Sequence, residues 1–263
     1  MSRSYRLTLL GTGTSFGVPQ IGCRCPVCRS SDPRDRRTRT SALIQSGDAT
    51  LLIDTPPELR LQLVREGIDR LDAVLYTHEH ADHINGIDDL RMFSLRRKAA
   101  LPLYGPQAAI EYTTRAFRYI FDESFQPPPG TTRPRLTLNL LEAGASSSIA
   151  GLAVLPILLD HGGTRVFGYR IGPIAYATDV KEIPETAKAA LRGARILVLS
   201  ALWWRPHPTH QSIQDAIDVA LDIGAERTYL THLSHETGHQ ALLDRLPAGV
   251  EPGYDGLSVE VEE

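Results

Sequence analysis

The sequence predicts an α/β fold in which helices pack outside β-sheets. Three observations carry the prediction. Short apolar runs rich in β-branched residues recur along the chain, and such runs read as strands. Stretches with helical periodicity and helix caps lie among them, so strands and helices are interleaved. No repeat or low-complexity tract divides the 263 residues, so a single domain spanning 1–263 is expected.

In chain order the strand candidates are RLTLL (6–10), ATLLID (49–54), AVLYT (73–77), LPLYG (101–105), LTLNLL (136–141), LAVLPILL (152–159), IAYATD (174–179), ILVLS (196–200), RTYLTH (227–232) and LSVEV (257–261). The first helix is expected over 55–67. Thr55 would be its N-cap, Pro56 its first residue and Glu58 the third residue after the cap; Gly67 would end it. Further helices are expected over 107–121 and 184–192. In the last, QSIQDAIDVALDIG, Ile213, Ala216, Ile217 and Ala220 share one face and Gly224 stops the run. Ser212 is its expected N-cap, with Asp215 three residues on. SFQPPPGTTRPR (124–135) is the conspicuous break, a loop or a hinge between halves.

Composition excludes several classes. Apolar content of 42% and charged content of 22% suit a globular chain with a real core. No apolar run reaches the ~18 residues of a membrane span. The opening MSRSYRLTLLGTG lacks the apolar stretch and cleavage site of a signal peptide. A cytoplasmic protein without a membrane partner is expected, and disulfides are not. A net charge of −3 provides no basic field for nucleic acid. Of 28 basic residues only Lys98, Lys181 and Lys188 are lysine; arginine suits phosphate recognition, although GC-rich coding explains the same bias.

The sharpest signal is THEHADH. Directly after a strand, His78, His80, Asp82 and His83 fall within six residues. Imidazole and carboxylate are the ligands that borderline divalent metals prefer. His78 and His80 are two apart and point the same way in an extended segment. Asp82 and His83 follow the turn and can face a second ion. His161, Asp179 and His232 each end a predicted strand, and α/β folds build sites where strand ends converge. Asp179 is the expected bridge, because a carboxylate has two oxygens to share. Asp54, at the end of another strand, is expected to orient a ligand.

Cys23, Cys25 and Cys28 are the only cysteines. Three thiols are one short of a tetrahedral metal site; a redox thiol cluster is the other reading.

HEHADH, followed by His161, Asp179 and His232 and preceded by Asp54, resembles the metallo-β-lactamase superfamily. LTLLGTGTSFGVPQIGCRCPVC, TDV, THLSH and GYDGLSVEV resemble one branch nearly end to end, the phosphoribosyl 1,2-cyclic phosphate phosphodiesterase family of the carbon–phosphorus lyase pathway. The resemblance implies an αββα sandwich: two facing mixed sheets, helices outside, and a dinuclear site on one edge. It also implies that Cys23, Cys25, Cys28 and His235 hold one structural zinc.

Two catalytic ions, manganese or zinc, would generate hydroxide and clamp the charge of an in-line displacement at phosphorus. The expected reaction is hydrolysis of a small phosphodiester, a cyclic ribose phosphate above all. His210, before a helix N-terminus, is expected to protonate the leaving oxygen or to bind phosphate. The arginines of RDRRTR (34–39) read mostly as a solvated loop face. His207, between prolines, reads as a loop brace. Trp203 and Trp204 read equally as a stacking surface or as core. The alternatives are an RNA-processing nuclease related to the tRNA 3′-endonuclease, although a Gly/basic-rich arm is missing, and another ester, thioester or lactone hydrolase. A binding module with a vestigial site is the reading from another class. Homodimerisation stays open.

Overall fold

The computed structural model describes residues 3–263; Met1 and Ser2, the start of the N-terminal segment considered above, lie outside it. The strands form two seven-stranded mixed sheets. The first contains β1 (Ser4–Gly11), β2 (Ser41–Ser46), β3 (Ala49–Ile53), β4 (Ala73–Leu75), β5 (Leu101–Gly105) and β6 (Leu136–Leu140) in that order. The second contains β7 (Ser147–Ile149), β8 (Leu152–His161), β9 (Thr164–Ile171), β10 (Ile174–Ala177), β11 (Ile196–Ser200), β12 (Arg227–Thr231) and β13 (Val250–Pro252). The last strand, β14 (Ser258–Glu262), returns to pair antiparallel with β1.

Each sheet begins with antiparallel hairpins and ends as a parallel ladder. β3 to β6 are parallel in the first, and β10 to β13 in the second. Parallel neighbours need crossovers, and helices supply most of them. These are α1 (Leu59–Arg65), α2 (Ala81–Ile84), α3 (Arg91–Arg97), α4 (Gln107–Ala116) and α5 (Arg118–Phe121) on the first sheet. On the second are α6 (Glu185–Leu191), α7 (Ile213–Ile223) and α8 (His239–Leu243).

Strand alternation explains why both faces of each sheet are apolar. In β3, Leu51 and Ile53 point between the sheets, against a core that includes Val154, Tyr169, Tyr176 and Val198. Leu52 points outward to Leu59 and Leu63 of α1. Ile213, Ala216, Ile217 and Ala220 of α7 pack on the outer face of the second sheet, as their spacing predicts. The architecture is the αββα sandwich.

Several local expectations are corrected. Thr55 does not cap a helix: its hydroxyl bonds the Tyr76 hydroxyl and donates to the Ile84 carbonyl, and α1 begins only at Leu59. The helix expected over 107–121 breaks at Phe117, whose φ of −115° and ψ of 47° are not helical. The 124–135 segment is no hinge between halves, since it joins α5 to β6 inside the first sheet. By contrast, Ser212 and Asp215 form the full capping box of α7, and Gly224 closes it in the left-handed region at φ 69°.

Candidate active site

The parallel strands deliver their C-terminal ends to one edge. Asp54 follows β3, Asp179 lies two residues beyond β10, His232 follows β12, and His161 is the last residue of β8. Beyond β4 the chain runs extended through His78 and His80 and then turns into α2, which carries Asp82 and His83. Asp54, Asp179 and His232 have φ of 62°, 52° and 58°. Such backbone costs on the order of 1–3 kcal/mol per non-glycine residue and persists where surrounding structure over-determines it. Only two other non-glycine residues among those described, Lys98 and Ala150, share it. The strain is thus concentrated on this edge.

Two ligand sets result: His78, His80, His161 and Asp179, and Asp82, His83, Asp179 and His232. Asp179 belongs to both. Its Oδ1 lies 3.3 Å from His83 Nε2, and its Oδ2 lies 3.2 Å from His232 Nε2 and 3.9 Å from His78 Nε2. Asp82 Oδ2 is 3.5 Å from His83 Nε2. These distances approximate the ~3.4 Å edge of a tetrahedron with ligands about 2.1 Å from its centre. Yet Nε2 of His78, His83 and His232 is buried without a hydrogen-bond partner. Buried polar atoms without partners are rare. Nitrogens that crowd carboxylate oxygens without bonding them fit divalent cations held between them.

The opposite edges of the rings decide which nitrogen is free. His83 Nδ1 lies 2.7 Å from Asp54 Oδ2, a pure acceptor when ionised, so Nδ1 carries the proton. His161 Nδ1 donates to the Thr209 carbonyl at 2.6 Å. Thr77 gives its hydroxyl proton to Asp54 Oδ2 at 2.8 Å and therefore accepts from His78 Nδ1 at 2.9 Å. In all three rings the Nε2 lone pair is left for metal, the arrangement such outer partners produce. Thr77 and the Thr209 carbonyl, which sequence patterns do not single out, join Asp54 in this role.

The charge balance agrees. Burial alone would lower His232, but the carboxylates of Asp179 and Asp82 override it and raise it to about 9. Burial likewise opposes and those carboxylates and Asp54 raise His83 well above the ordinary imidazole range. His78 is held well below it by burial and by His83. Burial would raise Asp179, but His232 and His83 bring it well below the usual carboxylate range. This cage is built to hold positive charge.

The second candidate centre joins opposite ends of the chain. His235 Nδ1 lies 3.2, 3.5 and 3.4 Å from the sulfurs of Cys23, Cys25 and Cys28. A tetrahedral zinc with sulfur at ~2.3 Å and nitrogen at ~2.0–2.1 Å would set these separations near 3.6 Å. The Cys28 N–H points at Cys25 Sγ and, as the largest influence, lowers its pKa below the ordinary thiol value. The thiol set and the histidine fit one structural zinc.

His210 stands outside both ligand sets but against them. Its ring lies 4.6 Å from His161 and stacks on His232 at 4.6 Å. It lines a cavity of about 350 Å³ together with His80, Asp82, His161, Asp179 and His232. Burial, and then His232, hold it down to about 3, against the pull of Asp179. His207 braces its loop as expected, receiving the Thr209 N–H at 3.3 Å. Trp203 and Trp204 divide: Trp204 packs on the core outside the second sheet, and Trp203 borders a cavity. The arginines of 34–39 are a solvated face only in part: Arg36 is exposed, but Arg37 is not. Arg37 is 2% exposed and donates to Thr12 and to the Gly253 carbonyl, Arg34 clasps Asp32, and Arg39 pairs with Glu58.

Comparison with known proteins accords with this geometry. A family model, the beta-lactamase superfamily domain, matches residues 49–233. Across 98% of its length the chain is 42% identical to an octanoyltransferase of Porphyromonas gingivalis (strain ATCC BAA-308 / W83), but it spans 52%, about half, of that protein. A diphosphatase from the PhnP family superposes with a TM-score of 0.92 at 40% identity, covering 100% of this chain and 99% of the other. Zn(2+)-bound PqqB from Methylobacterium extorquens superposes with a TM-score of 0.75 at 19% identity, covering 97% and 100%, a likeness of fold alone. Among the described residues no helix is long and apolar enough to cross a membrane. On the strength of the matched domain and the end-to-end superposition, the chain belongs to the metallo-β-lactamase superfamily of hydrolases, in the branch that holds the PhnP family.

Proposed function

We propose that the chain hydrolyses a P–O linkage in a small phosphate substrate, either the diester of a cyclic ribose phosphate or the phosphoanhydride of a linear diphosphate. The observation that carries this reading is the sharing of Asp179 between two ligand sets while His210, in neither set, faces the same cavity. The diphosphatase name of the relative that is 40% identical supports attack at phosphorus. The octanoyltransferase name belongs to a protein about twice as long and supplies no argument for this half.

A pair of divalent cations, manganese or zinc, would activate water and offset the charge that develops at phosphorus. The chain's own residues hold and orient. Asp54, Thr77 and the Thr209 carbonyl fix three imidazoles with Nε2 forward. His210 is neutral at rest, and an anionic phosphoryl group beside it favours its charged form. His210 then protonates the leaving oxygen. The oxygen of water joins phosphorus and the P–O bond to the leaving oxygen breaks; the proton that His210 took from solvent as the substrate bound leaves on that oxygen, the proton that water releases goes to solvent, and His210 ends neutral as it began.

The test is a screen with added manganese or zinc. It compares bis(p-nitrophenyl) phosphate, a 2′,3′-cyclic nucleotide, a linear diphosphate and a precursor tRNA. Turnover of the small substrates is expected. Cleavage of the tRNA alone would replace this reading by that of a nuclease, and no turnover of any of them would end it.

A further inference from the structure

A second cavity, of about 230 Å³, adjoins the one at the metal ligands. The two share Ser15 and His210 as a common wall. Their walls differ in chemistry. The first is lined by imidazoles and carboxylates. The second brings together Phe16, Leu202 and Trp203, with His207 beside them.

Two details give the second cavity the character of a binding site. Phe16 is 65% exposed, an aromatic ring open to solvent. Its loop is nevertheless rigid. Gly17 N–H donates to the Thr14 carbonyl at 2.8 Å, Val18 N–H to that of Arg37 at 2.8 Å, and Arg39 Nε to that of Ser15 at 2.9 Å. On the other side, the Arg205 guanidinium lies 4.5 Å over the Trp203 ring and pairs with Glu236, which anchors the indole. Trp203 thus offers a held indole and Phe16 an exposed phenyl ring to one cavity, and a flat aromatic ring stacks on such faces. An indole held in advance loses little freedom on binding.

We propose that this cavity binds the planar heteroaromatic ring of a nucleotide-type substrate whose phosphate lies at the metal ligands. The inference deepens the phosphodiesterase reading and rests on it: the substrate is a base-bearing phosphodiester or diphosphate, not a bare sugar phosphate. Phe16 and Trp203 set that specificity, and Ser15 and His210 mark the junction between ring and phosphate.

Two esters with the same leaving group test it, thymidine 5′-(p-nitrophenyl phosphate) and methyl p-nitrophenyl phosphate. The protein should prefer the thymidine ester in kcat/KM by roughly 10–100-fold, the size of one base–aromatic stack. Phe16→Ala and Trp203→Leu should each move that ratio toward one through the KM of the thymidine ester. Equal kcat/KM for the two esters in the unaltered protein overturns the inference and leaves the phosphodiesterase reading standing. If neither ester is cleaved, that reading fails, and calorimetry decides the inference alone. Adenosine 5′-monophosphate should bind at least about 10-fold more tightly than ribose 5-phosphate, and equal affinities overturn it.

Discussion

Asp54 Oδ2 meets His83 Nδ1 at 2.7 Å, with both side chains wholly shielded from solvent. The same carboxylate receives the Thr77 N–H and hydroxyl. Asp54→Asn would turn an amide N–H₂ toward one of these donors. Metal affinity should fall 10–100-fold, as when other outer partners of metal ligands are lost. The measurement is the metal concentration for half-maximal turnover. An unchanged requirement would remove Asp54 from this role.

Cys25→Ser should cost zinc and stability together, because binding energy at a structural zinc site is folding energy. Zinc content should drop by about one ion per chain, and the thermal midpoint should fall with it. Full zinc and an unchanged midpoint would exclude the Cys23, Cys25, Cys28 and His235 set as a metal site.

His210→Ala should lower kcat by roughly 10²–10⁴ on a cyclic ribose phosphate, the usual contribution of general acid–base catalysis. With a p-nitrophenolate leaving group, which departs without a proton, the loss should be small. Metal content should not change, since His210 lies outside both ligand sets. Equal kcat losses on both substrates would count against the proton-donor role.

His239 gives a pH prediction. It is 4% exposed, and burial, with Arg37 and Arg34, lowers it to about 4. Its unfolded value is near 6.5. Between these values the unfolded chain binds the extra proton, so stability is greatest above about 6.5 and declines as pH falls toward 4. Chemical denaturation across that window should show the decline, and His239→Gln should reduce its slope. The same slope in both proteins would falsify the assignment.

The sequence made the site legible where its chemistry is local. His78, His80, Asp82 and His83 lie on one turn, and Asp54, His161, Asp179 and His232 stand at strand ends that α/β folds bring together. What depends on distant partners was hidden. Arg37 looks solvated until Thr12 and the Gly253 carbonyl close on it. β9 escaped a propensity reading because Gly168 interrupts it. A Cβ there would meet Leu159 at 2.8 Å and the Tyr176 carbonyl at 2.9 Å, so this glycine admits a close approach within the sheet and does not break it. Thr55 has the composition of an N-cap, but the Tyr76 hydroxyl, a tertiary neighbour, claims its side chain.

The thiol set has a consequence for biosynthesis. Cys28 and His235 are 207 residues apart in sequence. At ribosomal rates of about 5–20 residues per second, on the order of 10–40 s separate their emergence. Through that interval the nascent chain exposes three thiols that its own histidine cannot yet close over. Contacts of such long range form late. The clasp between the amino-terminal loop and the residues after β12 therefore closes only when both sheets are nearly complete, and a chain stalled before residue 235 would leave its thiols open to other metals and oxidants.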